Sequence, residues 1–352
     1  MRPQRMCKLH TPASGKASSL LAPPGRPRRG ATLALCVAAA TLAACAGTAD
    51  RERPASDPYC KPPAITREGW RHSVTGGAFA SSLGNPHHAA NDVIAAVGEP
   101  VRIHGKFAYG GASKDLEDEQ VVLYLAPEGS CAGREVARAI TNDDGRATFA
   151  LPALPAGIHR FWLGVPGDGS MAAGAVHVIT PGRKAVLFDI DGTLTANDGE
   201  LIEDLAGGGP PDMMTDAPKV ARHWAARGYQ VLYVSGRVYF LRASTLAWLA
   251  ARGFPAGPVI TTESLGEAMP TTGGVGEFKT RILTGLKKKG LEIIRAYGNA
   301  DTDVCAYARA GIDPAQSFMV GPPGRACAGY PATRALNSYT DHLRELGSEA
   351  VP

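Results

Sequence analysis

KAVLFDIDGTLT, residues 184–195, is the stretch that decides how this chain folds. Four apolar residues, Ala185, Val186, Leu187 and Phe188, run straight into Asp189, Ile190, Asp191, Gly192 and Thr193. An apolar run that ends abruptly in polar residues is how a buried parallel strand delivers side chains to its carboxyl end. Asp189 and Asp191 are two apart, so on a strand both face one spot. Carboxylates held that close repel each other, and a cation at the same spot keeps both useful. An aspartate beside a divalent metal can attack a phosphoryl group and form an aspartyl-phosphate. Gly192 supplies a sharp turn and lets a phosphate approach the backbone, while Thr193 can donate from its hydroxyl or its amide. A strand ending in a polar turn is the simpler reading. A calcium loop is another, but Leu194, Thr195 and Ala196 supply few of the further oxygen ligands it wants.

From residue 182 onward strand and helix alternate, which predicts a parallel sheet covered by helices on both faces. The first strand, 184–189, is followed by a loop rich in Gly and Pro up to Asp216, which with Pro218 suits a helix start. That helix reaches about residue 227. Strands follow at 230–235, 259–261, 293–297 and 317–320, with helices at 239–252, 278–289 and 302–310. In such sheets the site lies beyond the carboxyl ends of the strands. Ser235, Gly236 and Arg237 close the second strand, where a hydroxyl and backbone amides can hold phosphate oxygens. Lys279 sits at a helix start; taken alone, such a lysine is usually just exposed. Gly298, Asn299, Ala300, Asp301, Thr302 and Asp303 end a strand and open a helix, with Asp301 also suited to capping it.

Between residues 101 and 179 the pattern has period two and the segments are short. Val101, Ile103 and Phe107 alternate with Arg102, His104 and Lys106, and strands are expected at 121–125, 136–140, 147–151, 159–165 and 175–179. Asn142, Asp143, Asp144 and Gly145 read as a hairpin turn between two of them. Six or seven such strands make a small immunoglobulin-like β-sandwich. No nucleophile-base arrangement stands out in it, so its expected work is to position the next domain or touch a partner. Upstream, His87 and His88 with Asp92 could bind metal, but no further ligand cluster follows and a loop entering the first strand is the preferred reading.

The formal net charge of +4 misleads, because residues 1–44 hold seven Lys or Arg and no acid; +4 less seven leaves −3 for the rest. That balance gives no support to nucleic-acid binding. Arg26, Arg28 and Arg29 precede an apolar run over residues 31–44 that is short for a membrane span, the pattern of a secretion signal. Leu42, Ala43, Ala44 and Cys45 then resemble a bacterial lipobox, whose cysteine is lipidated and becomes the mature amino terminus. The expected organisation is a signal and lipobox at 1–45, a tether at 46–75, the sandwich at 76–181 and the α/β domain at 182–346. Export would put Cys60, Cys131, Cys305 and Cys327 in an oxidising compartment. Three connectivities are possible. Cys60 with Cys131 and Cys305 with Cys327 is favoured because each pair stays within one domain, and four free thiols is the alternative.

Asp189-Ile-Asp191-Gly-Thr193 resembles the first motif of the haloacid dehalogenase-like (HAD) phosphohydrolases, and more narrowly of lipin-type phosphatidate phosphatases. Ser235-Gly-Arg237 is similar to the second motif, Lys279 to the third motif's lysine, and the segment through Asp303 to the fourth, where an acid holds magnesium. Asp303 fits the fourth motif's spacing best, with Asp301 in reserve. Residues 105–343 resemble the carboxyl-terminal region of the RdgB-type membrane-associated phosphatidylinositol transfer proteins, where a β-sandwich precedes a lipin-like LNS2 domain. The words that carry this are Gly105 to Tyr109, Asn142 to Phe149, Ala221 to Trp224, Tyr233 to Arg237, Ala247 to Leu249 and Ala296 to Asn299. Those animal domains typically lack the first aspartate and are thought to bind phosphatidic acid; here Asp189 is present.

What the resemblance implies is an α/β Rossmann-like HAD domain that hydrolyses a phosphate monoester in two steps. Asp189 would attack phosphorus, and Mg2+ would be held by Asp189, Asp303 and the backbone carbonyl of Asp191. Asp191 would protonate the leaving oxygen and later activate water. Thr193, Ser235, Gly236, Arg237 and Lys279 would hold the transferring group. The segments between Thr193 and Asp216 and between Arg237 and Lys279 read as too short or too committed to sheet packing for a separate lid, and an open site admits bulky substrates. A lipid-anchored, exported enzyme of this type suggests phosphatidic acid or a related phospholipid. A phosphatase for soluble phosphomonoesters and a non-catalytic phosphatidic-acid-binding lipoprotein are the alternatives. Lys287, Lys288 and Lys289 could face anionic lipid, though a solvated helix end is the preferred reading.

Overall fold

A computed structural model describes residues 60–72, 76–196, 211–321 and 327–348. The expected signal with Cys45, most of the tether, and part of the loop between Thr193 and Asp216 lie outside the described residues.

Helix α1 (Gly77–Ser82) precedes strands β1 (Val93–Ala96), β2 (Pro100–Lys106), β3 (Ala108–Tyr109), β4 (Lys114–Asp115), β5 (Gln120–Leu125), β6 (Arg134–Ile140), β7 (Arg146–Ala153), β8 (Gly157–Gly164) and β9 (Met171–Ile179). One sheet runs β1-β9-β8-β5-β6 and a second pairs β2 with β7. Along β2 the side chains alternate, with Val101 and Ile103 buried and Arg102 and His104 exposed, because only one face meets the core. Val101, Ile103 and Phe149 of the small sheet pack with Leu123, Phe161, Leu163 and Val176 of the large one. Seven strands in two sheets is the sandwich that the alternation predicts.

The turn at residues 142–145 differs from expectation. It forms, with the Gly145 N–H on the Asn142 carbonyl at 2.8 Å and the Arg146 N–H on Asn142 Oδ1 at 2.8 Å. Its flanking strands do not pair, however: β6 pairs β5, and β7 pairs β2. The turn carries the chain from one sheet to the other instead of closing a hairpin.

The sandwich brings together Ser170, His88 and Asp168. His88 Nδ1 accepts the Ala108 N–H at 3.3 Å, so Nε2 carries the proton and points it at Ser170 Oγ, 2.9 Å away, while Ser170 donates to Asp168 at 2.5 Å. A histidine in that tautomer cannot take the serine proton, so the trio is a structural network and not a nucleophile-base relay.

The α/β half follows the predicted alternation: β10 (Lys184–Phe188), α2 (Ala217–Ala226), β11 (Gln230–Val234), α3 (Arg242–Ala251), β12 (Val259–Ile260), α4 (Glu277–Lys288), β13 (Glu292–Gly298), α5 (Asp301–Arg309), β14 (Ser317–Val320), β15 (Arg334–Leu336) and α6 (Tyr339–Ser348). All six strands are parallel in the order β12-β11-β10-β13-β14-β15. Strand β10 lies at the centre with both faces covered. Val186 and Phe188 pack with Trp224, Trp248 and Tyr297 on one side, and Ala185 and Leu187 with Leu232, Phe278 and Val304 on the other. The strand order reverses between β10 and β13, and ligands of such sheets bind beyond the strand ends at that point.

Asn91, Asp92, Ile94 and Ile179 are among the sandwich residues that join the halves. Asp92 accepts the Ala175 N–H of its own sheet and the Val259 N–H of β12, each at 2.8 Å, and pairs with buried Arg242 at 2.7 Å. Asn91 takes the Thr261 N–H at 2.8 Å and returns its amide to the Thr261 carbonyl at 2.7 Å. Ile94 and Ile179 enter the core of the α/β half. Among the described residues no helix is long and apolar enough to cross a membrane. The disulfides are Cys60 with Cys131 and Cys305 with Cys327, the favoured pairing.

Candidate active site

Asp189 is the first residue past β10, and its N–H still pairs with the Tyr297 carbonyl of β13 at 3.0 Å. The chain then turns through Gly192, whose φ of 66° lies in the left-handed region that glycine adopts without strain. The turn aims Thr193 back at the strand end. Its hydroxyl lies 3.2 Å from Asp189 Oδ2 and 3.2 Å from Asn299 Oδ1.

Strand β13 ends in Gly298, where an added Cβ would come within 2.8 Å of the Asp303 side chain. Glycine there lets α5 start close to the strand and swings Asp303 inward. Asp303 Oδ2 accepts the N–H groups of Asn299 and Ala300 at 3.1 Å each, and Oδ1 faces Lys279. Asp301 opens α5 on the exposed side. Of the two candidate acids, the structure brings Asp303 to the site.

Lys279, from the first turn of α4, puts Nζ 2.6 Å from Asp189 Oδ1 and 2.5 Å from Asp303 Oδ1. All three are at most 4% exposed, so water screens the group little. Burial, together with the like charges of Asp303 and Asp191, pushes the Asp189 carboxyl up to about 7 against the pull of Lys279. Burial works against the Lys279 charge as well, but Asp189 and Asp303 outweigh it and hold the ammonium above its ordinary value.

One ammonium between two buried carboxylates leaves the cluster short of positive charge. Two hard carboxylate oxygens converging on one cation suit Mg2+, which binds through one or two carboxylates and keeps its remaining positions for water and phosphate. Among the described residues no group of three or more His, Cys, Asp or Glu side chains assembles, so Asp189 and Asp303 are the side chains that fit it.

The Asp191 side chain does not join them, and the metal contact that the resemblance implies for this residue is through its backbone carbonyl. Its oxygens lie on the Arg237 guanidinium, 3.0 and 3.1 Å from Nε and 2.8 Å from Nη2, and accept the Ser235 hydroxyl at 3.2 Å. Arg237, expected to hold substrate, therefore reaches the site with its guanidinium already engaged. Ser235 stands beside it, and Gly236 packs on Val275, which an added Cβ would meet at 2.7 Å. The Arg237 pairing was missed because nothing in Ser-Gly-Arg says which way the arginine turns.

Two of the three lysines in the run have partners in the fold: Lys287 donates to the Gly311 carbonyl at 2.6 Å and Lys289 pairs with Glu99 of the sandwich, while Lys288 is exposed. Residues 238–278 are given over to α3, β12 and the turns around them, leaving no separate lid there. A cavity of about 190 Å3 at the junction of the halves, walled by Trp162, His177, Arg242 and Leu246, touches none of these site residues. The convergence of charged groups, not the cavity, marks the site.

Residues 186–321 match the family model of the LNS2 domain of PITM 1-3, and residues 86–178 that of the PITM 1-3 beta-sandwich domain. Membrane-associated phosphatidylinositol transfer protein 1 of Rattus norvegicus is 31% identical over 84% of this chain and 23% of its own length. Protein retinal degeneration B of Drosophila melanogaster is 29% identical over 81% of this chain and 22% of its own. The chain thus spans less than a quarter of these curated relatives. Among solved structures, D,D-heptose 1.7-bisphosphate phosphatase from B. bronchiseptica, complexed with magnesium and phosphate, is 14% identical with a TM-score of 0.35, over 47% of this chain and 99% of its own.

Proposed function

We propose, from the premise that the chain joins a PITM-type β-sandwich to an HAD-like LNS2 domain, that it is a magnesium-dependent phosphate monoester hydrolase acting on phosphatidic acid or a related phospholipid. The observation that carries the reading is the buried Asp189, Lys279 and Asp303 cluster at the strand-order reversal, with Thr193 and Ser235 beside it.

In the first step an Asp189 oxygen attacks phosphorus and the bond to the ester oxygen breaks; the departing oxygen takes a proton from Asp191. In the second, water gives a proton to Asp191 and attacks the aspartyl-phosphate, freeing phosphate and restoring Asp189. Thr193, Ser235 and Lys279 orient the phosphoryl oxygens and offset their charge. Asp189 and Asp303, with the backbone carbonyl of Asp191 as the resemblance implies, would hold Mg2+, which would supply the remaining positive charge that the phosphoryl group needs.

The phospholipid substrate rests on the phosphatidylinositol transfer proteins among the relatives and on the sequence pattern of an exported lipoprotein anchored through Cys45. Phosphate release from phosphatidic acid in mixed micelles, compared with p-nitrophenyl phosphate in solution, tests it. Faster turnover of the lipid is the expected result. Turnover of the soluble ester alone would leave a phosphatase with a different substrate.

A further inference from the structure

Arg237 is 1% exposed, yet four of its bonds are side-chain contacts to two specific partners. Nε and Nη2 grip the Asp191 carboxylate, and Nη1 donates to Thr245 Oγ1 at 3.1 Å. Thr245 is itself fully buried on α3 and tied to the Leu241 carbonyl at 2.8 Å. The backbone of Arg237 is fixed too. Its N–H donates to Ser235 Oγ at 3.1 Å, and its carbonyl accepts the Thr262 N–H and hydroxyl, both at 3.0 Å.

A guanidinium that meets a phosphoryl group has to offer its fork to that group, and here the fork is spent on Asp191. Taking it for substrate would break a buried bidentate pair. Asp191, for its part, is 19% exposed and shares the Ser235 hydroxyl, so it stands where the substrate phosphate would come.

We propose that Arg237 is a positioning residue: it does not ligate the substrate, but holds Asp191 beside Ser235, where the protonated carboxyl gives its proton to the departing ester oxygen and the carboxylate left behind takes one back from the attacking water. The inference rests on the phosphatase reading. It separates Arg237 from Ser235 and Thr193, each of which holds a carboxylate through a single hydroxyl contact of 3.2 Å that rotation can redirect to a phosphate oxygen.

The test uses Arg237→Gln and Arg237→Lys in the full chain, with two soluble esters that differ in their need for a proton. Butyl phosphate leaves as an alkoxide and needs one; p-nitrophenyl phosphate leaves as a stable phenolate. Single-turnover rates are expected to fall about 100-fold on butyl phosphate in Arg237→Gln and much less on p-nitrophenyl phosphate. Inhibition by inorganic phosphate should be unchanged, and Arg237→Lys should recover part of the loss. Equal losses on both esters would overturn the proposal: with weakened phosphate inhibition Arg237 is a substrate ligand, and without it a merely structural residue. If the wild type hydrolyses neither ester, the phosphatase reading is judged on phosphatidic acid and fails only if that is not hydrolysed either. Crystal structures of wild type and Arg237→Lys then decide the positioning: Asp191 displaced from Ser235 in the variant supports it, and Asp191 unmoved refutes it.

Discussion

Lys279 Nζ lies 2.6 Å from Asp189 and 2.5 Å from Asp303, and all three are buried. Lys279→Met would leave two buried carboxylates facing each other, and breaking a buried pair in this way costs about 3 to 5 kcal/mol. Urea unfolding should register that loss in the presence of EDTA and recover part of it in millimolar magnesium; equal stability of variant and wild type in EDTA would contradict the charge arrangement. His88 supplies a second, independent titration. Burial, partly opposed by Asp168, lowers its pKa from 6.5 to about 4. The unfolded chain therefore takes a proton near pH 6.5 that the folded chain refuses until about pH 4. The stabilisation is fully present above pH 6.5 and is lost as pH falls toward 4, with a slope of at most about 1.4 kcal/mol per pH unit. Urea midpoints between pH 7 and 4.5 should fall more steeply for wild type than for His88→Gln, which lacks the titrating ring; parallel curves would count against it.

Strand β12 is two residues long, yet it carries the join between the halves, because Asn91 and Asp92 pair with its edge and Arg242 locks onto Asp92. Asp92→Ala would strand the Arg242 charge and orphan two backbone N–H groups, a loss of about 3 to 5 kcal/mol that thermal unfolding would show; a variant as stable as wild type would mean that the join lies elsewhere. The central elements were legible in sequence for a physical reason. Strand β10 is buried on both faces, so its four apolar residues stand in a row, and the polar residues after it are forced to the sheet's carboxyl end. Shorter pieces at the periphery were not. Strand β15 is Arg-Ala-Leu with one buried residue, and helix α6 buries only Tyr339, His342 and Leu346 on a polar sequence. Strand β1, Val-Ile-Ala-Ala, lacks alternation because its residues meet the cores of both halves. At the site, Asp189 was legible from the strand end, whereas Lys279, which taken alone reads as exposed, and Asp303 over Asp301 were singled out by the resemblance to the third and fourth motifs. The turn of Arg237 onto Asp191 was not legible, since it depends on contacts between segments 46 residues apart.

Taken whole, the molecule sets its charged cluster at the strand-order reversal of a six-stranded parallel sheet and braces the neighbouring loop with a β-sandwich. Ser113 bonds Tyr239, two residues past Arg237, and Arg146 reaches Glu263 at 2.9 Å just beyond β12. The sandwich thereby buttresses the segments that present Ser235 and Arg237. Catalysis by Asp189 is tested most directly by phosphate release from phosphatidic acid micelles, with magnesium or EDTA, by wild type and Asp189→Asn. Release that needs magnesium and falls at least about 1,000-fold in the variant, while the variant still binds the micelles, is the expected result. Release that survives in Asp189→Asn, or no release from either protein, would contradict it.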